Sequence, residues 1–147
     1  MNLKKPKFWD KKKPNLISLL LRPISIFPSF INSINFKKEK IKGIKTICVG
    51  NIYLGGTGKT PTCITINNIL EKSGYKSTFV KKFYSNQKDE QNLLKKYGNL
   101  ILKKERKNAL KSAKSKKFDF AICDDGLQDR NIDYDLKIVC FNFDNFI

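Results

Sequence analysis

A glycine-rich stretch in the first half of the chain contains residues suited to phosphate binding. It reads VGNIYLGGTGKTP, and its chemistry-bearing residues are Gly55, Gly56, Thr57, Gly58, Lys59 and Thr60. Glycines allow backbone N–H groups to turn inward around phosphate oxygens, where side chains would block them. In such a loop Lys59 places positive charge on the β- and γ-phosphates, and the Thr60 hydroxyl contacts Mg²⁺. The strict motif has glycine where Tyr53 stands, so the sequence predicts a variant phosphate loop.

A second stretch, FDFAICDDG, ends an apolar run with two adjacent carboxylates, Asp124 and Asp125. A nucleotide site needs an acidic side chain near the phosphate loop to hold the metal, and an aspartate at a strand end is the Walker B arrangement. Loops at the carboxyl ends of parallel strands share one crevice, so the two stretches are expected to meet. Alone, each stretch has a plainer interpretation: a glycine-rich turn that contains Lys-Thr, and an Asp-Asp-Gly turn. Their combination favours a nucleotide site.

Apolar runs alternate with lysine-rich stretches of helical length from residue 44 onward. Strands are predicted over 44–52, 76–83, 99–104, 118–125 and 136–142, and helices over 59–73, 88–97 and 105–117. This alternation predicts an α/β fold, a P-loop NTPase-like parallel sheet flanked by helices, with right-handed crossovers. No repeat or Gly/Ser-rich linker interrupts residues 44–147, so we expect one nucleotide-binding domain there. The sequence stops directly after a predicted strand, which favours a truncated chain with an incomplete domain.

The amino-terminal segment, residues 1–43, is basic and apolar. Six lysines lie in its first 13 residues, and the apolar residues 16–34 are interrupted by one arginine and two prolines. A membrane-spanning helix needs about 20 largely uninterrupted apolar residues, so this segment is a poor candidate. No small-residue cleavage site follows, which argues against a secretory signal. The pattern slightly favours a helical segment at a membrane interface, with lysines on anionic lipid, over helices packed on the domain's own core.

The charge balance of the chain is strongly basic. It has 30 Lys and Arg against 13 Asp and Glu, a formal charge of +17. Such a balance favours anionic partners, although the many Lys, Asn and Ile residues also match an AT-rich genome and weaken the argument. The aromatic residues cluster in apolar runs and do not alternate with basic ones, so no nucleic acid partner is expected.

The four cysteines, Cys48, Cys63, Cys123 and Cys140, show no metal-site or disulfide pattern. They lack CxxC spacing, and the sequence has no histidine to complete a zinc site. Three of them lie in apolar runs predicted as strands. We therefore expect buried structural thiols in a reducing cytosol.

The two motifs together resemble the tetraacyldisaccharide 4'-kinases of lipid A synthesis, a membrane-associated P-loop family. The resemblance rests on VGNIYLGGTGKTP and DDGLQ, with KPKFWDKK matching the family's amino end. It runs along essentially the whole chain but covers only the first part of the family's length. It implies transfer of the γ-phosphoryl of ATP to the 4'-hydroxyl of a tetraacyldisaccharide 1-phosphate, an anionic glycolipid. It also implies Mg²⁺ and a peripheral location at the cytoplasmic face of the bacterial inner membrane.

The resemblance assigns roles to individual residues. It implies Lys59 as a phosphate contact, Thr60 and Asp124 as Mg²⁺ contacts, and Asp125 as a site carboxylate. The family's Asp-Glu pair is found here in KDEQNLL, so Asp89 would be the base that receives the proton of the sugar hydroxyl. The alternative for Asp89 is an acidic residue favoured by the dipole at the start of a helix.

The sequence departs from the family pattern in three places. Asp129 stands where members usually have a histidine, and the family's Arg-Gly-Tyr appears as Lys82-Phe83-Tyr84. The sequence also ends before the family's later Gly-Asn-Gly and Pro-rich motifs and its second lobe, which contains a histidine that supports the catalytic aspartate. We therefore expect the chain as written to bind nucleotide poorly and to catalyse little.

A membrane-associated P-loop ATPase switch of the partitioning or septum-placement type is the competing interpretation. That class also uses a GG-x-GKT loop, but it has a lysine just before the glycine pair, where this chain has Leu54. The run DDGLQ also fits that class less well. The kinase is therefore the favoured interpretation.

Overall fold

The computed structural model describes residues 38–51, 58–84 and 87–141, which belong to one compact unit, Lys37–Ile147. The predicted apolar and basic helical segment lies almost entirely outside the described residues. Within those residues, no helix combines the length and the apolar character needed to cross a membrane.

Strands and helices alternate along the described part of the chain. They are β1 (Lys45–Asn51), α1 (Lys59–Lys72), β2 (Ser77–Lys82), α2 (Lys88–Tyr97), β3 (Leu100–Lys103), α3 (Arg106–Ser115), β4 (Phe120–Asp124) and β5 (Leu136–Cys140). Each of these elements begins and ends within two residues of its predicted bounds. The apolar runs and the lysine-rich stretches therefore identified the elements correctly.

The five strands form one parallel sheet in the order β3-β2-β4-β1-β5. Val49 of β1 pairs with Asp124 of β4 on one side and with Ile138 of β5 on the other. The carboxyl ends of β1 and β4 consequently lie side by side. The predicted α/β fold with a helix-flanked parallel sheet is confirmed.

Both faces of the inner strands β1, β2 and β4 are covered, and successive residues of each strand point to opposite faces. On one face, Cys48 and Cys123 pack with the buried side chains of α3, among them Leu110. On the other, Val49 and Phe79 pack with residues of α1 and α2, among them Cys63 and Leu94. This two-sided burial explains why the strands are continuous apolar runs.

Residues 38–44, most of which the sequence analysis assigned to the amino-terminal segment, contact this sheet unit. Glu39 forms a parallel bridge with Ile132, and the side chains of Ile41 and Ile44 are buried in the same cluster as α3. Strand β5 pairs with β1 and forms one edge of the sheet, where the side chains of Leu136 and Val139 are exposed.

The four cysteines are free thiols, as predicted. Cys48, Cys63 and Cys123 are fully buried, whereas Cys140 is half-buried. Burial raises the pKa of the Cys48 thiol to about 11, and it also raises the pKa values of Cys63 and Cys123. At neutral pH these side chains are therefore protonated and behave as small apolar residues.

Candidate functional site

Helix α1 begins at the end of the predicted phosphate loop. Gly58 precedes α1 in the left-handed conformation, with φ +77°, which glycine adopts without the steric cost of a side chain. Lys59 and the half-buried Thr60 are the first two residues of the helix. The first N–H groups of a helix have no partner within it, so this end attracts anions. Gly55, Gly56 and Thr57 lie outside the described residues.

Lys59 connects the ends of the two central strands. Its Nζ donates to Asn51 Oδ1 at 2.9 Å, at the end of β1, and to Asp125 Oδ1 at 3.0 Å, directly after β4. Asp125 adopts a left-handed conformation with φ +57°, and its N–H donates to Val49 O at 2.8 Å. Lys59 and Asp125 are thus brought together, as the predicted shared crevice requires.

Asp124 is almost completely buried, with 1% of its surface exposed, and is paired with a lysine from β2. Its Oδ2 accepts from Lys81 Nζ at 2.7 Å, and the same ammonium donates to Glu90 Oε2 at 2.5 Å. Burial opposes the charge of Lys81, but the two carboxylates outweigh it and raise the pKa of Lys81 above its ordinary value. This three-residue ion cluster was not predicted.

The second carboxylate oxygen of Asp124 fits a metal ligand. Asp124 Oδ1 is buried and has no hydrogen-bond partner among the described residues. Over the same residues, no three acidic, histidine or cysteine side chains converge to form a metal site by themselves. Mg²⁺ is commonly bound by one or two protein oxygens together with substrate phosphates and water. Asp124 Oδ1 and the Thr60 hydroxyl are oxygen donors of the kind that such a sparse set uses.

Arg106, the first residue of α3, holds the turn that follows β4. Its Nη2 donates to the carbonyl oxygens of Asp124 and Asp125, each at 3.0 Å, and its Nη1 pairs with the Asp129 carboxylate. Lys82 Nζ also donates to Asp129, at 3.3 Å. Asp129 stands where the 4'-kinase family is expected to have a histidine, and its carboxylate pairs with the side chains of Arg106 and Lys82.

Gly126 lets this turn lie close to β1. A Cβ at this position would lie 2.7 Å from Cys48 Sγ and 2.9 Å from Tyr134 Oη, distances that real Cβ contacts do not show. The glycine of DDGLQ is therefore required by packing.

Asp89 lies in the first turn of α2 and is exposed. Its neighbour Glu90, rather than Asp89, is joined to the buried cluster through Lys81. The same turn is held by Gln91, whose Nε2 donates to Tyr84 O at 2.7 Å. The start of α2 is therefore anchored beside the crevice, and the role of Asp89 as a base stays a prediction.

Lys81, Glu90 and Arg106 were not among the predicted site residues. Strand periodicity does not separate Lys81 from Lys82, because Lys81 follows the buried Phe79 and Lys82 follows the equally buried Val80. Glu90 is adjacent to the predicted base. No signal in the sequence distinguishes Arg106 from the lysines around it.

Comparisons with known proteins agree with the geometry. A model of the tetraacyldisaccharide-1-P 4'-kinase family matches residues 16–146. A tetraacyldisaccharide 4'-kinase of Pelagibacter ubique is 56% identical over 148 residues, covering 100% of this chain and 47% of the relative. One of Rickettsia canadensis is 33% identical over 152 residues, covering 91% of this chain and 46% of the relative. The chain thus spans about half the length of the curated relatives it matches.

A solved structure is also similar. LpxK from Aquifex aeolicus, crystallised in complex with ATP, superposes with a TM-score of 0.70 at 20% identity, covering 87% of this chain and 47% of that one. At this identity the similarity shows a shared fold. Of the two P-loop interpretations of the sequence, the family match favours the kinase over the ATPase switch.

Proposed function

The chain belongs to the tetraacyldisaccharide-1-P 4'-kinase family, and on that basis we propose that it is the nucleotide-binding part of an ATP-dependent lipid A 4'-kinase. In this reaction the γ-phosphoryl of ATP passes to the 4'-hydroxyl of a tetraacyldisaccharide 1-phosphate. The observation that supports the proposal most strongly is the contact of Lys59, at the start of α1, with Asp125 at the end of the neighbouring strand.

Lys59 and the start of α1 would bind the phosphates of ATP. The Lys59 ammonium is paired with Asn51 and Asp125, which hold it at the mouth of the crevice. A bound β- or γ-phosphate would take the place of these partners, with the unpaired N–H groups of the helix start as further donors. Positioning and charge neutralisation of this kind account for most of the catalysis in phosphoryl transfer.

Thr60 and Asp124 would hold Mg²⁺, with Asp125 as a further carboxylate of the site. When bound, Mg²⁺ offsets negative charge on the phosphate oxygens. Asp89 would accept the proton of the sugar hydroxyl as that oxygen attacks phosphorus. Its place in an anchored helix turn, next to Glu90, keeps it near the crevice without burying it.

The substrate class explains the composition of residues 1–43. An anionic glycolipid lies in a membrane, and a basic and apolar segment can lie in the interface of an anionic bilayer. We therefore propose a peripheral location at the cytoplasmic face of the inner membrane. Sedimentation with vesicles containing anionic lipid tests this proposal: binding is expected to be strong at low salt and weak with neutral vesicles, and equal binding to both would contradict it.

ATP binding and transfer to lipid test the kinase proposal. The chain is titrated with ATP and Mg²⁺ by calorimetry, and label from γ-labelled ATP is followed into tetraacyldisaccharide 1-phosphate. Lys59→Ala is expected to weaken ATP binding about 10- to 100-fold, the value of one or two charge-assisted hydrogen bonds. Lys137→Ala removes an exposed lysine that pairs with Asp133 at 3.8 Å, and is the matched control. Equal ATP binding by both variants would contradict the proposed site.

A further inference from the structure

Lys81 is a lysine in a core position of β2, and its ammonium lies between two carboxylates. Only 4% of its side chain is exposed, and Asp124 and Glu90 both accept its hydrogen bonds. We propose that Lys81 is a positioning residue that serves as an internal counter-cation, keeping Asp124 and Glu90 from binding a divalent cation until nucleotide phosphates arrive. The inference rests on the proposed function, because it concerns the metal of that same site.

The Lys81 ammonium lies where a metal ion shared by the two carboxylates would lie. One atom, Lys81 Nζ, lies 2.7 Å from an oxygen of Asp124 and 2.5 Å from an oxygen of Glu90. Two carboxylates that converge on one point repel each other and attract a cation. Without Lys81 that point would be open to a divalent ion, for which carboxylate oxygens are preferred ligands.

The position of Lys81 is one where an apolar residue would be expected. Phe79, two residues earlier on the same strand, is fully buried among apolar side chains. Lysine is rarely buried unless its charge is paired, and breaking such a pair leaves an uncompensated charge in the interior. The buried cation at this position is therefore matched to the buried Asp124 carboxylate.

Lys81 also determines which oxygen of Asp124 is available. It occupies Oδ2, whereas Oδ1 is buried and without a hydrogen-bond partner in the described part of the chain. A metal that arrives with phosphates would thus meet no competing hydrogen bond at Oδ1 of Asp124, while Oδ2 would still be neutralised by Lys81. Glu90, which is half-exposed, stays tied to the same ammonium and keeps the start of α2 at the crevice.

Titration of the full chain with Mn²⁺ alone, in the absence of nucleotide, tests the proposal. Lys81→Met is expected to bind Mn²⁺ at least about tenfold more tightly than the unaltered chain, since a positive charge beside the carboxylates is lost. Adding Glu90→Gln to Lys81→Met should remove most of this gain. Lys40→Met is the matched control, because it breaks a lysine–aspartate pair of 2.8 Å with Asp135, and it should not alter Mn²⁺ binding.

A lysine that only stabilises the fold would give a different result. Lys81→Met would then lower the unfolding temperature while Mn²⁺ affinity stayed within twofold, and that outcome would overturn the proposal. If Lys81→Met does not fold, the Mn²⁺ dissociation constant of the unaltered chain tests the proposal. A millimolar or larger dissociation constant supports it, and a micromolar one without nucleotide overturns it. Failure of the unaltered chain to bind ATP would count against the proposed function alone, because the Mn²⁺ titration contains no nucleotide.

Discussion

The carboxyl ends of the parallel strands form one edge of the sheet, the carboxyl edge, and their amino ends form the opposite one, the amino edge. Each contains a lysine–aspartate pair, but the two pairs differ in burial. At the carboxyl edge, Lys81 and Asp124 have side chains 4% and 1% exposed; at the amino edge, Lys40 and Asp135 have side chains 55% and 20% exposed. The nitrogen–oxygen distances are similar, 2.7 and 2.8 Å. The two pairs therefore offer the same contact in two different dielectric surroundings.

The edges also differ in how far their polar atoms are satisfied. Asp135 accepts from Thr46 N at 2.8 Å, from Thr46 Oγ1 at 3.0 Å and from Lys40. Over the described residues, the buried side-chain atoms without a hydrogen bond are Arg106 Nε, Asp124 Oδ1 and Tyr134 Oη. All three residues surround the turn after β4. Buried polar groups are normally paired. The amino edge follows this rule, whereas the carboxyl edge contains unsatisfied polar atoms, as the proposed ligand site requires.

The largest expected effect comes from removing the buried carboxylate. Asp124→Ala leaves the Lys81 ammonium buried with only the half-exposed Glu90 as a partner. We expect the free energy of unfolding in urea to fall by about 3–5 kcal/mol, against about 1 kcal/mol for Asp135→Ala at the other edge. The double variant Lys81→Met, Asp124→Leu removes both charges and should recover most of the loss. Equal costs for Asp124→Ala and Asp135→Ala would contradict the contrast between the edges.

Gly126 and Gly74, at opposite ends of the strands, differ in the space available for a side chain. At the carboxyl edge, a Cβ added to Gly126 would lie 2.7 Å from Cys48 Sγ, whereas one added to Gly74, at the other end of the strands, would meet nothing within 4 Å. Gly74 has only a positive φ of +83° to disfavour a side chain. Gly126→Ala is expected to cost about 2–3 kcal/mol through overpacking, and Gly74→Ala about 1 kcal/mol through left-handed strain. Thermal unfolding of both variants measures the difference. A larger loss for Gly74→Ala would show that the turn after β4 can move away from β1.

The sequence allowed the elements and part of the site to be predicted. Alternating apolar runs located the strands because both sheet faces are covered, and parallel topology brought Lys59 to Asp125 as expected. Side-chain contacts between residues that are far apart in the sequence were not predictable. Lys81 meets Asp124 from 43 residues away, and in the run KSTFVKKF it is indistinguishable by type from Lys82, whose side chain is one-third exposed. Propensity and spacing do not reveal which of two adjacent lysines is buried.

The smallest expected effect concerns the amino edge and its pH dependence. Partial burial alone would raise the pKa of Asp135, but the Lys40 ammonium and the two donors of Thr46 lower it from 3.8 to about 2. Because the folded pKa is depressed, the stabilisation is complete above pH 3.8 and is lost as the pH falls towards 2. Lys40 is largely exposed, so we expect Asp135→Asn to lower the free energy of unfolding by only about 1 kcal/mol at pH 7. The variant and the unaltered chain should converge as the pH approaches 2.

Carboxyl ¹³C NMR titration of Asp135 measures the pKa directly, with Lys40→Met as the matched variant. The pKa should rise in Lys40→Met but stay below 3.8, because the Thr46 N–H and hydroxyl still donate to the carboxylate. A pKa at or above 3.8 in the unaltered chain would mean that the hydrogen bonds of the amino edge do not outweigh its desolvation. In that case both edges would hold incompletely compensated carboxylates, and the unpaired oxygen of Asp124 would no longer distinguish the ligand-binding edge from the structural one.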